Sequence, residues 1–207
     1  MRILYLDTSS SFLYCALVDN NKCIFEIKEL LGKKMSEETL FKINYFFNKN
    51  NISTDSVEKI ILVNGPGSFT GVRIGITIAK VYAYMKNIPI ITISSLYAMS
   101  VSCDFDRIHV PIIDARRGYV YAGIYDSDSN IIMEDQYISL TDLSKYVNKI
   151  AENFVYISND DFEFDVINYN PNFLKIVEKC EHFNSTEIHK VNANYLKATE
   201  AEEKNAN

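Results

Sequence analysis

Asn64-Gly65-Pro66-Gly67-Ser68-Phe69-Thr70-Gly71-Val72-Arg73-Ile74-Gly75 carries four of the chain's seven glycines. Directly before it stands Ile60-Ile61-Leu62-Val63, a continuous apolar run. That is the pattern of a strand covered on both faces, as in a parallel sheet. Pro66-Gly67 suits a type II turn, with proline setting φ at the first central position and glycine taking positive φ at the second. Thr70 is placed to cap a following helix, with Phe69 and Ile74 as a hydrophobic staple. The unit reads strand, tight turn, helix, and the helix ends near Lys86-Asn87, ahead of Pro89. Such a turn gathers backbone N–H groups and a helix N-terminus around one point, which suits an anion. It is not a Walker A loop, since no Gly-Lys-Ser/Thr follows Gly65. Nor is it a G-x-G-x-x-G, since Thr70 stands at the third glycine. A structural turn is the simpler reading.

The helix is more informative. Gly71, Gly75, Ala79 and Ala83 recur every fourth residue and line one face. Small side chains there let a second helix approach closely. Val72, Ile76, Val81 and Tyr82 make much of the rest apolar, with Lys80 as an interruption. A helix with so little polar surface is normally enclosed on more than one side, and another chain can supply part of the enclosure.

Read as GPGSFTGVRIG, residues 65–75 resemble the hallmark of the TsaB (YeaZ) family, which takes part in making threonylcarbamoyladenosine in tRNA. The resemblance makes Gly65, Pro66, Gly67, Ser68, Phe69, Thr70 and Gly71 the family-motif turn.

With 207 residues the chain can bury a good core in one or two domains. It is 47% hydrophobic and 23% charged, as soluble globular proteins are. No apolar run reaches membrane-spanning length. The first residues, Met1-Arg2-Ile3-Leu4-Tyr5-Leu6-Asp7, reach a carboxylate too soon for a signal peptide. Cys15, Cys23, Cys103 and Cys180 form no Cys-x-x-Cys pair, so zinc and thioredoxin-type chemistry are not indicated. Reduced thiols in a cytoplasmic protein are expected. The net charge of −6 argues against binding tRNA without a partner. The two basic pairs, Lys33-Lys34 and Arg116-Arg117, each read as solvated surface.

In chain order, Arg2 to Asp7 is a strand ending in Asp7-Thr8-Ser9-Ser10-Ser11. Tyr14 to Val18, a turn at Asp19-Asn20-Asn21, and Lys22 to Ile27 complete an antiparallel meander. Ser36 is placed to cap a helix whose Leu40, Phe41, Ile43, Tyr45, Phe46 and Phe47 exceed one narrow apolar stripe. It is either deeply packed or shared between its own core and a partner. After the glycine unit, Pro89 to Ile93 is a buried strand, and Ser94 or Ser95 opens a short helix through Met99. The pattern then restarts: strands at Arg107 to Ile113, Tyr119 to Tyr125 and from Ile131, then a helix from Asp142 capped by Thr141. A strand at Phe154 to Ser158 and a helix from Pro171 to about Glu181 follow. The expected division is 1–103, 104–197 and a polar tail, 198–207.

A duplicated βββαβα unit, its second copy shorter, is the organisation of the α/β actin-like (Hsp70-like, ASKHA) fold, and the family resemblance implies the same fold. Ile3-Leu4-Tyr5-Leu6-Asp7-Thr8-Ser9 is similar to the family's opening strand. Ile113-Asp114-Ala115-Arg116-Arg117-Gly118 is similar to its second-half opening, and Asn194-Tyr195-Leu196-Lys197 to its closing segment. The chain departs from the family at Met35-Ser36-Glu37, where His-Ser-Glu is frequent, which removes a possible metal ligand.

ATP-using members of this fold open each half with a glycine-containing hairpin that wraps phosphate. Here Asp7-Thr8-Ser9-Ser10-Ser11 has no glycine, and Asp114-Ala115-Arg116-Arg117-Gly118 puts arginines where backbone should approach. Asp7 and Asp114 are the candidate cofactor-binding residues, although an aspartate at a strand end is also a turn former. His109, His182 and His189 make no metal motif. No catalytic residue is assigned.

The resemblance implies a non-catalytic partner of the threonylcarbamoyltransferase paralogue TsaD, joined by the ATPase TsaE, with ATP and metal on those partners. It also implies tRNA contact only through the complex. The expected helical interface comprises Leu40, Ile43, Phe47, Gly71, Gly75, Ala79 and Ala83. It would serve a homodimer when the chain is alone and TsaD when present. An ATPase or sugar kinase of the same fold is the alternative, and a protease a weaker third.

Overall fold

A computed structural model describes residues 1–197; the expected tail at 198–207 lies outside the described residues. The first run of elements is β1 (Arg2–Asp7), β2 (Phe12–Asp19), β3 (Lys22–Leu30), α1 (Met35–Lys49), β4 (Lys59–Val63), α2 (Phe69–Lys86), β5 (Ile90–Ile93) and α3 (Ser95–Val101). The second is β6 (Ile108–Asp114), β7 (Tyr119–Tyr125), β8 (Ile131–Ser139), α4 (Leu140–Ile150), β9 (Phe154–Ser158), β10 (Ile167–Asn168) and α5 (Phe173–Cys180).

Two five-stranded sheets have orders β3-β2-β1-β4-β5 and β10-β9-β6-β7-β8. Numbered within its own half, the second order is the first one reversed, so both halves share one topology. In each, the opening strand is central, antiparallel to the next strand and parallel to the fourth. This is the duplicated actin-like arrangement expected from the sequence.

Strand alternation explains the apolar runs. Leu4, Leu6, Ile60 and Leu62 face α1 and α2, packing with Phe47, Ala79 and Ala83. Ile3, Tyr5, Ile61 and Val63 face the other way, onto Ala98, Val101, Phe173, Ile176 and Val177 of α3 and α5. A strand covered on both sides has no reason to alternate polar with apolar.

The second half is reduced at a definite place. Residues 159–166 join β9 to β10 without a helix, and Phe162, Phe164 and Val166 pack on the second core from that loop. No counterpart of α2 exists there. The last helix also changes partner: α5 follows the second sheet in sequence yet packs on the first. Residues 186–195 return to the first half as well. Thr186 N donates to Ile90 O (2.7 Å), Val191 is buried in the first core, and Asn194 N donates to Asn64 O (2.8 Å). The first half is therefore completed by residues beyond 103.

Local capping differs from the sequence reading. Ser68, not Thr70, caps α2: its Oγ accepts from Gly71 N at 3.2 Å while Thr70 is already helical. Phe69 is half exposed and stacks on Tyr195, so it is not a staple. Ser139, not Thr141, caps α4. Ser36 caps nothing, because α1 continues directly from a 3-10 turn at Gly32–Lys34. Gly67 takes φ 152°, away from the roughly +80° of a type II turn, so the turn is not type II.

Candidate functional site: a closed cleft and an open helical face

The glycine turn is a joint rather than a cradle. Ser68 N donates to Ser9 O (2.6 Å), and Thr8 Oγ1 donates to Gly71 O (2.7 Å). Ser95 N and Oγ donate to Gly65 O (3.0 Å) and Pro66 O (2.6 Å). The turn thus ties the β1–β2 hairpin, α3 and the returning 186–195 segment together. A Cβ on Gly67 or Gly71 would fall inside contact distance of the Ser9 or Thr8 carbonyl, so the sequence needs glycine for close approach.

Asp7 and Asp114 come together on one cleft of about 600 Å³ between the two halves, with Asp160, Arg116, Tyr121, Phe69 and Tyr169 also on its wall. Five backbone donors of its two hairpins are taken within the chain. Ser9 N serves Asp7 Oδ1 (2.8 Å), and Phe12 N serves Ser10 Oγ (3.1 Å). On the opposite side Arg116 N serves Asp114 Oδ1, Asp114 N serves Asp160 Oδ2 (both 2.8 Å), and Ala115 N serves Tyr119 O (2.9 Å). Phosphate recognition by a hairpin needs such N–H groups turned to the ligand, and these point inward.

Asp7 is 2% exposed. Burial lifts its carboxyl to about 6, and the hydrogen bonds from Ser9 and Tyr5 oppose this only in part. Burial raises Asp160 too, helped by the charge of Asp114. Tyr14, pushed up to about 12 chiefly by burial, accepts from Asn159 Nδ2 across the halves at 2.9 Å. Among the described residues no three His, Cys, Asp or Glu side chains gather in a metal-ligand arrangement.

The interface residues proposed from sequence separate into two groups. Leu40 is 61% exposed, whereas Ile43, Phe47, Gly71, Gly75, Ala79 and Ala83 are buried in the chain's own core. The small face of α2 lies on the sheet: a Cβ at Gly75 would stand 2.5 Å from Thr8 Oγ1. Small residues serve close helix–sheet packing here, and they are not available to a partner. The apolar surface left open is a neighbouring ridge. Val81, Tyr84 and Met85 of α2 and Leu40, Phe41 and Tyr45 of α1 are between 49% and 78% exposed. Between the helices an apolar hollow of about 260 Å³ reaches down to Leu4 and Leu6. Tyr84 and Met85 were missed as surface, and Phe41, although on the helix expected to meet a partner, was not among the interface residues expected from sequence. The available signal was the second apolar ridge, Ile74-Ile78-Val81-Met85, beside the small one.

Residues 29–205 match the family described as TsaD: tRNA N6-adenosine threonylcarbamoyltransferase. The Bacillus subtilis tRNA threonylcarbamoyladenosine biosynthesis protein TsaB is 29% identical over 99% of this chain and 97% of its own length. The Escherichia coli protein of that name is 33% identical over 63% of this chain and 57% of its own. The solved structure of YeaZ from Pseudomonas aeruginosa superposes with a TM-score of 0.77 at 18% identity, covering 94% of this chain and all (100%) of that one, a likeness of fold.

Proposed function

The chain belongs to the TsaD threonylcarbamoyltransferase family and within it groups with TsaB (YeaZ), and from that premise we propose that it acts as a non-catalytic partner of a TsaD paralogue in forming threonylcarbamoyladenosine in tRNA. The observation that carries the proposal is the open apolar face of α1 and α2. A contiguous set of exposed large apolar side chains on a helix pair favours a protein–protein contact. Asp7 and Asp114 each accept a backbone N–H of their own hairpin, which favours an architectural role over phosphoryl transfer. In this reading the face holds a second copy when the chain is alone and TsaD when it is present. TsaE joins the pair, ATP and metal reside on those partners, and the assembly works in the cytoplasm.

Depletion of the protein in a cell that makes it should lower threonylcarbamoyladenosine in bulk tRNA, read by mass spectrometry of digested nucleosides. An unchanged level after confirmed depletion, with no substitute protein, overturns the assignment.

A further inference from the structure

A strip of aromatic and cationic side chains rims the cleft, crossing from one half to the other. On the first half the Arg73 guanidinium lies 3.8 Å over the Phe69 ring, and its Nε donates to Tyr195 Oη at 2.9 Å. Phe69 and Tyr195 stack at 5.6 Å. Two residues further, Lys197 Nζ stands 5.2 Å over the Tyr137 ring on the second half. Tyr137 stacks on Tyr119 at 4.7 Å and meets Tyr121 at 5.8 Å. Arg116 and Arg117 precede Tyr119 in an exposed turn, both at positive φ. The ends are close in space, because Phe69, Arg116 and Tyr121 line the same cleft.

Three of the chain's five arginines are in this strip, although the whole chain carries −6. Among the described residues none of Arg73, Arg116, Arg117 and Lys197 is in an ion pair. In the same turn Asp114 accepts the Arg116 backbone N–H, and Asp160 accepts that of Asp114. Phe69, Tyr195 and Tyr119 are 51%, 47% and 40% exposed. Half-exposed rings interleaved with cations that have no carboxylate partner among the described residues suit unstacked bases joined by phosphates, and a duplex cannot offer its bases to them.

We infer that this strip contacts a single-stranded loop of RNA, so that the chain itself supplies part of the RNA surface of its assembly. The identification of that RNA as the tRNA anticodon loop rests on the function proposed above. The arginine pair that reads from sequence as solvated surface becomes one end of the site.

The test is fluorescence anisotropy of a labelled anticodon stem-loop and of a duplex of equal length, with the purified chain at about 50 mM salt. The stem-loop should bind with Kd on the order of 10⁻⁵ M, within the range of non-specific affinities, and the duplex more weakly. Tyr119→Ala should weaken loop binding about 5- to 100-fold. Arg117→Gln should reduce the salt slope by about one. Lys86→Gln, about 25 Å away at the far end of α2, should change neither readout by as much. Melting curves confirm that each variant is folded. No binding to the loop, equal binding to loop and duplex, or a folded Tyr119→Ala that binds as wild type overturns the inference. If RNA binding fails while depletion still lowers threonylcarbamoyladenosine, the strip is wrong and the functional reading stands. The reverse pattern removes the tRNA assignment and leaves the RNA surface.

Discussion

Asp7 shows what a buried carboxylate costs this fold. Its carboxyl titrates near 6 in the folded chain because burial penalises the charge, against about 3.9 in an unfolded chain. Between those values the folded state holds a proton that the unfolded state has lost. Stability therefore falls as pH rises through this window, and the loss is complete above it. Asp7→Asn keeps an oxygen for Ser9 N and carries no charge. It should raise stability at pH 7.5 by on the order of 2–3 kcal/mol and give no gain near pH 3.5, measured by urea unfolding at both values. Gly71 is the opposite case. Alanine would add about 1 kcal/mol of helix propensity, but its methyl would collide with the Thr8 carbonyl. Backbone cannot swing aside as a side chain can, and overpacking costs up to about 3 kcal/mol. The net loss should be about 2 kcal/mol, seen as a Tm lowered by roughly 4–8 °C.

The two ridges of α2 have different fates, and one experiment separates them. Gly75→Glu forces a charged side chain against Thr8 and Leu62 inside the core, so the chain should fail to fold. Val81→Glu places the charge on the open face, 55% exposed. That variant should keep its melting temperature and lose association with the partner by roughly two to four decades, as an unpaired buried charge costs about 3–5 kcal/mol. Light scattering, a TsaD pull-down and a melting curve distinguish the pair. The strands on either side, β4 and β5, were legible in the sequence because burial on both faces leaves an apolar run, and each begins within one residue of where composition places it. Which ridge of α2 faces the sheet was not legible. Glycine and alanine at every fourth position permit close approach without saying to what, and only the position of Thr8 decides it. The cap was ambiguous for a similar reason, since Ser68 and Thr70 have equal chemistry and differ in backbone angles alone. At the cleft, Asp7 and Asp114 were recognisable from the repeated strand–hairpin order. The aromatic strip was not, because it joins residues from 69 to 197 that only the fold makes neighbours.

At the scale of the molecule, the boundary near residue 103 divides the sheets but not the cores. Phe173, Ile176, Val177 and Cys180 of α5 are buried against the first sheet. A fragment ending at 103 leaves that apolar face bare and should be recovered aggregated when produced alone. Supplying residues 104–207 in the same cell should restore soluble material, with the two pieces eluting together. A soluble monomeric 1–103 fragment with native-like circular dichroism would show that the halves are autonomous.

The return of residues 173–195 to the first sheet also bears on how the chain is made. Translation delivers β5 some 80 residues before α5, a delay on the order of 5–15 s at ordinary elongation rates. Throughout it Ile3, Tyr5, Ile61 and Ile91 of the nascent chain have α3 beside them but lack the cover of α5. An N-terminal half in that state bares the apolar surface that makes incomplete folds prone to aggregate, and synonymous codons that slow elongation between 104 and 172 lengthen its exposure.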